Sequence, residues 1–401
     1  MTAGAMSVAP EFDPFSATFF DDPYDTYRAL RDQAPVYHNA RYGFWALSRF
    51  DDVAAAHQDW RTFSSAHGVT LHDLCRDDFR AVGSIIYLDP PGHERLRNLV
   101  SKAFTPRAIA ALEPMIRAVV DETLDRVVGQ ARFDAVADFA APFPVEVISV
   151  MLGVPPADRQ AVRLRTDLML HREPNDPGPT AAGMEAGIAQ TRYLMALAAE
   201  KRRQPGDDMI TRLCEAELPA PDGPQRLNDL EIASFAALLG AAGSETVTKL
   251  VGNGIVLFHR FPEQWAAVLD DPTRIPDAIE EILRYWAPSQ YQGRFTTAPS
   301  TFHGVTIPAG VPVLLLTGAA SRDERGYPEP DRFDIGRERN LPLGFGYGIH
   351  SCLGAALARI ESRIAFEALR TRHPRFRVDE SGLRRVHMTN VAGFSQVPVD
   401  V

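Results

Sequence analysis

Cys352 lies in "FGYGIHSCLG" (345–354), where three glycines, two aromatics and a histidine crowd around one of the chain's three cysteines. The run that follows, "LGAALARIESRIAFEALRTRHP", places Leu353, Leu357, Ile360 and Ile364 on one helical face. Cys352 is therefore expected at a helix N-terminus, where free N–H groups and the positive dipole end favour a thiolate. Gly346 and Gly348 permit a sharp turn and a close backbone approach. Three chemistries suit this arrangement: a small buried thiol, a nucleophile with His350 as its base, or a thiolate bound to a metal.

A second candidate lies in "LNDLEIASFAALLGAAGSETVTKLVGNGIVLF" (227–258). No charge occurs between Glu231 and Glu245, so this part of the helix is expected to be buried all round. Glu245 and Thr246 then interrupt an apolar wall, and an unpaired buried acid is costly. A Thr246 hydroxyl bonded to the Ala242 carbonyl would make a polar notch there. Two further pairs carry charge. His93 and Arg97 share a helix face one turn apart, and alone would read as solvated surface residues. Glu281 and Arg284 in "DAIEEILRYWAP" are i,i+3 neighbours, which alone would read as an exposed pair of little weight.

A thiolate at a helix start, with glycines clearing space for a flat partner, also suits an axial ligand of haem iron. The cysteine stretch matches FGxGxHxCLGxxLARxE at Phe345, Gly346, Gly348, His350, Cys352, Leu353, Gly354, Leu357, Ala358, Arg359 and Glu361. It resembles the haem-ligand signature of bacterial cytochromes P450. "AGSET" (242–246) resembles that family's oxygen-activation motif at Ala242, Gly243, Glu245 and Thr246, with Val247 where a second hydroxyl is often found. Glu281 and Arg284 resemble its ExxR pair, with Arg332 in "PDRFD" the expected third member of a buried structural network. "DPPGHERLRNLVSKAFTP" resembles the segment that supplies a His and an Arg to the haem propionates, and Ser321 stands where Asn is common.

The resemblance implies haem b as cofactor and O2 as co-substrate, with Cys352 as the axial ligand of the iron. By the same resemblance His93, Arg97, Arg294 and His350 hold the propionates, a task to which Arg is well suited. Ala242, Gly243, Thr246, Phe345, Gly346 and Gly354 would border the haem. Thr246 and Glu245 would be the catalytic pair that delivers protons, and Phe235, Leu238, Leu239, Ala242 and Phe394 would line the substrate pocket with loops near 65–88 and 165–185. His72 and His171 are expected in solvent.

These residues need elements to place them, and helical periodicity dominates the chain. Helices are expected in "DPYDTYRALRDQAP", "DDVAAAHQDWRTF", the His93 segment, about 107–130, 142–171, and from Asn228 onward. "YGFWALSRF" alternates like a strand, and "TFHGVTIPAGVPVLLL" reads as two apolar runs joined by a Pro-Ala-Gly turn. Loops are expected at 172–180 and 218–226, both dense in turn formers. The expected fold class is mainly α with a small β region drawn from about 35–50, 290–316 and the C-terminal end. The resemblance makes it the P450 fold, a triangular helical prism, with residues 1–22 as an extension and 23–401 as a single domain.

Composition narrows function from the other side. The chain has 401 residues, 45% hydrophobic and 23% charged, and a formal net charge of −10. This is globular material without the basic balance that nucleic acid requires. Three scattered cysteines do not make a disulfide framework, and the N-terminus lacks the pattern of a signal peptide. "IASFAALLGAAGS" falls short of the ~20 residues that span a bilayer. A soluble, cytoplasmic, monomeric protein is expected. The resemblance implies a monooxygenase acting on a hydrophobic molecule of the lipid, terpenoid, steroid or polyketide class. Its electrons would come from a separate ferredoxin-type donor docking near Arg97, Lys102 and Arg107. A peroxide-driven haem enzyme or a haem-thiolate sensor would have no need of the Glu245–Thr246 pair. A cysteine hydrolase using His350 would work without haem.

Overall fold

Asn228 caps the central helix by accepting from Glu231 N (2.9 Å), while the Glu231 carboxylate accepts from Asn228 N (2.8 Å). The helix so started runs unbroken from Asp229 to Arg260. By length and apolarity it could cross a membrane, yet every residue from Val247 to Phe258 is buried within the protein. The computed structural model describes residues 10–76, 84–176, 178–218 and 225–401.

Eight helices position the candidate residues: α1 (Phe50–Gln58), α2 (Gly92–Ser101), α3 (Pro142–Leu152), α4 (Pro156–Leu170), α5 (Ala181–Arg203), α6 (Asp229–Arg260), α7 (Ile275–Tyr285) and α8 (Ala355–Arg372). α6 packs against α3, α5, α7 and α8 and so forms the axis of the main apolar core. The periodic run 142–171 is two helices rather than one, because Val154-Pro155-Pro156 cannot carry helical geometry through the junction.

A five-stranded sheet stands beside the helices, built from β1 (Val36–Asn39), β2 (Phe44–Leu47), β3 (Phe63–Ser64), β4 (Gln292–Thr296) and β5 (Pro312–Leu315) in the order β1-β2-β5-β4-β3. β5 runs parallel to β2 and antiparallel to β4. The Pro-Ala-Gly turn does not join paired strands: Val305–Ile307 pairs with Ser300–Phe302, while β5 enters the larger sheet. The C-terminal end forms a separate three-stranded sheet, in which Pro398–Asp400 lies between Arg377–Val378 and Arg132–Asp134. Parts of the expected loops, residues 77–83, 177 and 219–224, lie outside the described residues, as do residues 1–9 of the N-terminal extension. The remainder of that extension packs inward. Phe12, Phe15, Phe19 and Phe20 are buried in the main core, where Phe12 meets Tyr27, Tyr37 and Phe44.

α6 also meets α7 and α8 through a position with no room for a side chain. A Cβ at Gly254 would stand 2.5 Å from Phe366 Cζ and 2.8 Å from Ile282 Cδ1. Gly254→Ala is expected to cost about 1–3 kcal/mol by overpacking. At Gly240 the nearest atom is Leu152 Cδ1 at 3.9 Å, so Gly240→Ala is expected to be neutral or to stabilise by up to about 1 kcal/mol. Chemical denaturation of the two variants checks the contrast, and equal losses would contradict the packing described.

Candidate active site

The cysteine loop is two single 3-10 turns, Leu343–Phe345 and Gly348–His350, followed by α8. Gly346 between them has φ +67°, a left-handed conformation that favours glycine. Gly348 answers a packing demand, because a Cβ there would lie 2.3 Å from the His57 carbonyl oxygen at the end of α1. Cys352 N donates to Phe345 O (2.8 Å), closing the loop. The sulfur accepts from Gly354 N–H. It is accessible to a water-sized sphere, yet burial pushes the thiol up from its ordinary value, opposed by the Gly354 N–H, Arg97 and Arg359. The sulfur is thus open to a partner yet poorly solvated. Phe345 lies beside it under the Arg359 guanidinium (4.6 Å to the ring centroid), which is itself fixed on Glu280 by bonds of 2.6 and 3.1 Å.

The four expected anion partners converge on this loop. Arg97 on α2 donates to Ser351 O (2.7 Å). His93, one turn earlier, is buried, with neither ring nitrogen hydrogen-bonded, and its ring centroid lies 4.5 Å from that of His350. Arg294 on β4 is buried and lowered to about 10 by desolvation, donating only to its neighbour's carbonyl, Gly293 O (2.7 Å). His350 is pushed down to about 2 by burial, Arg294, His93, Arg97 and His57. Both histidines are therefore neutral, and Arg97 and Arg294 make the cluster a buried positive field that only the field of Asp89 offsets at Arg294 among the described residues.

On α6 the Thr246 hydroxyl donates to Ala242 O (2.7 Å), as the spacing predicts. Thr246 is half-buried and Ala242 exposed, in a helix otherwise packed on most sides. Gly243 admits α3, since a Cβ there would lie 3.0 Å from Ile148 Cγ1. Glu245 turns to the side of the helix, where its carboxylate meets Lys249 Nζ at 3.1 Å, both groups buried. It also shares a hydrogen bond with Asp167 of α4. Burial and the Glu245 charge and hydrogen bond raise Asp167 to about 7 against the pull of Arg163 (3.1 Å) and Lys249. Asp167 therefore keeps its proton to higher pH than an isolated carboxyl would, bonded to the neighbouring acid. Asp167 was not legible as a site residue: "RTDLML" reads as an ordinary amphipathic helix end, and only tertiary packing brings it to Glu245.

The structural network needs one correction. Glu281 accepts both prongs of Arg284 (2.7 and 2.8 Å), as expected. Its second guanidinium, however, is that of Arg337, at 3.2 Å, and not that of Arg332. The Arg332 side chain is 60% exposed and reaches only Glu329 and Asp334, each at 3.5 Å. Arg332 contributes its carbonyl instead, accepting from Arg284 (3.1 Å) and Arg337 (2.7 Å). Ser321 likewise serves through its carbonyl, which accepts from Arg284 (3.0 Å), so its side chain is immaterial to this bond.

The substrate-wall expectation also changes. Phe235 is fully buried in the core, and Phe394 lies against Trp286 (5.3 Å between centroids) with Arg385 over its ring. These two support the interior rather than face a cavity, because core aromatics fill space between elements. Leu238 and Leu239 stay half-buried beside exposed Ala242. His171 is half-exposed and meets Glu173 (3.0 Å), and His72 is half-buried.

The chain matches the family model described as Cytochrome P450 over residues 275–389. It is 43% identical over 391 residues to the Mycobacterium tuberculosis protein named cytochrome P450 123, covering 97% of this chain and 96% of that one. The chain belongs to the cytochrome P450 family. It is also 39% identical over 376 residues to erythromycin C-12 hydroxylase of Saccharopolyspora erythraea, covering 92% of each. A solved mutant of P450 EryK in complex with erythromycin B superposes at a TM-score of 0.86 with 37% identity, covering 94% of this chain and 95% of that one.

The P450 fold and the family's haem b, with O2 as co-substrate, follow from these likenesses. The residues present fit that group. An open, desolvated sulfur with an N–H donor suits an iron ligand, and buried cations with unpartnered imidazoles suit two carboxylates. This P450 is a haem monooxygenase.

Two outcomes follow from the site. Arg337→Ala should destabilise the fold by about 1–3 kcal/mol, because it leaves part of a buried carboxylate unpaired. Arg332→Ala should cost less than about 0.5 kcal/mol, since a solvated side chain is removed and its carbonyl stays. Denaturation midpoints check this order, and a reversed order would restore Arg332. Asp167 ordinarily titrates near 3.8 and in the fold near 7. Between those values the folded chain keeps a proton that the unfolded chain has lost, so stability falls as pH rises through the window. The melting temperature of the wild type minus that of Asp167→Asn should therefore decline from pH 4 to about 7, and a flat difference would contradict the retained proton.

Proposed function

We propose that this P450 hydroxylates a hydrophobic small molecule of the lipid, terpenoid, steroid or polyketide class in the cytoplasm, as a monomer and a single domain, with electrons from a separate ferredoxin-type protein. The carrying observation is the stretch of α6 from Leu238 to Thr246, where half-buried leucines and exposed Ala242 stand beside the Thr246 hydroxyl and the one charged residue, Glu245, is buried. Such a wall rewards apolar area and offers little to a polar molecule. The named specificities of relatives support the size and polarity of the substrate: erythromycin for the Saccharopolyspora hydroxylase, and a complex with testosterone for CYP109E1 of Bacillus megaterium.

When bound, haem supplies O2 reduction and the insertion of one oxygen atom into a C–H bond. In this reading Cys352 holds the iron and Gly354 N–H steadies the sulfur's negative charge. His93, Arg97, Arg294 and His350 take the propionates. Thr246 presents its hydroxyl oxygen from the notch, its proton directed to Ala242 O. Asp167 keeps a proton one face away, bonded to Glu245, and Lys249 orients the Glu245 carboxylate. Ala242 and the leucines exclude water from the reacting position. Lys102 and Arg107 are exposed on the α2 side of the loop and suit an acidic donor protein.

The reduced protein with CO should show the red-shifted Soret band of a thiolate-ligated haem, and Cys352→His should abolish it. Thr246→Ala should retain haem and its CO spectrum while coupled turnover falls by roughly 10-fold or more, the weight of a positioned proton donor. A thiolate spectrum surviving in Cys352→His would overturn the ligand assignment. Titrating macrolides, steroids and fatty acids while watching the haem spin state selects among the substrate classes.

A further inference from the structure

The last turn of α1 brings one more imidazole to the cysteine loop. His57 is 3% exposed, and neither Nδ1 nor Nε2 has a hydrogen-bond partner. Gln292 is the side chain that reaches the ring, too poorly placed for a good hydrogen bond, and its own polar atoms are engaged elsewhere: Nε2 donates to Ser289 Oγ (2.8 Å) and Oε1 accepts from Thr317 Oγ1. The groups that face the ring carry positive or no charge, Arg294 from β4 and His350 from the loop. Asp89 is the carboxylate whose field reaches Arg294 among the described residues, and it is occupied by Ser64 Oγ and Ser65 N. Burying an imidazole so weakly partnered beside a guanidinium is unfavourable unless something completes its hydrogen bonding. The ring's position is set by backbone packing, since the His57 carbonyl lies where a Cβ at residue 348 would stand.

We infer that His57 is a fifth member of the propionate cradle, an uncharged imidazole that donates a hydrogen bond to a haem carboxylate beside Arg294 and His350. Burial and Arg294 hold it neutral, down to about 3, so it acts as a directional N–H donor rather than as a charge. A bond from N–H to a carboxylate is charge-assisted and stronger than a neutral pair. α1 would thereby sense occupancy of the cradle directly, through the residue whose backbone already rests on the loop.

The inference presupposes haem in this chain, and its test separates the two. With wild-type holoprotein as reference, haem transfer to excess apomyoglobin and the haem midpoint potential are measured in His57→Phe, His57→Leu and His57→Gln. Phe and Leu should each release haem about tenfold faster, the weight of one hydrogen bond to a charged group. They should also shift the potential negative, because a propionate losing a donor projects more negative charge. Gln, which keeps an N–H donor, should return both values most of the way to wild type. Leu keeps the test open if the bulkier Phe does not fold. Wild-type release rates and potentials in Phe or Leu would overturn the assignment. Equal acceleration in all three variants with an unchanged potential would also overturn it, and would make His57 a packing residue. Failure of the wild type itself to hold haem would strike the family reading rather than His57.

Discussion

The Arg284 guanidinium spends its donors on four different pieces of chain: both oxygens of Glu281 and the carbonyls of Ser321, Pro330 and Arg332. Carbonyls in irregular backbone have no ladder to satisfy them, and buried without partners they would be costly. Arg284 thus turns a stretch with little regular secondary structure into a fixed object, and Arg337 repeats the device with the carbonyls of Pro328, Glu329 and Arg332. The segment so held leads straight into the 3-10 turns that present Cys352. The sulfur's position is inherited from an ion pair that never touches it.

The other side of the loop is governed by charge rather than by tethering. Desolvation lowers Arg294 and the surrounding histidines together, and the arginine charges push the histidines lower still. Such a cluster is costly alone and suits an anionic partner. On α6 the charges are mixed instead: Glu245 and Asp167 crowd two acids together, and Lys249 and Arg163 balance them. The protein thus keeps a largely uncompensated positive field on the cysteine-loop side and a balanced ion cluster beside α6.

Contiguous motifs were legible and long-range partners were not. Cys352, Gly346 and Gly354 sit within ten residues, and Thr246 meets Ala242 within one helical turn, so local spacing suffices to place them. Three arginines, Arg332, Arg337 and Arg339, follow one another in "PDRFDIGRERN", and nothing local says which turns inward. Asp167 and His57 are separated from their partners by whole helices, and their surroundings in sequence are unremarkable. Phe235 and Phe394 show the opposite limit: an aromatic on an apolar helix or strand looks the same whether it faces a cavity or another core ring. The break at residues 153–156 was readable from its prolines, but the amphipathic pattern on either side ran in phase and masked it.

Strand Pro398–Asp400 is the middle member of a sheet whose outer strand is Arg132–Asp134, and Val401 N reaches Ala131 O (3.2 Å). β5 and β4 similarly complete a sheet begun by β1 and β2 near the other end of the chain. Contacts of such long sequence separation carry a large loop-closure cost and form late. During synthesis the edges of β1 and β2 would stay open until β4 and β5 followed. The apolar faces of those early strands are thus uncovered for longer in the newborn protein than faces paired with close sequence neighbours.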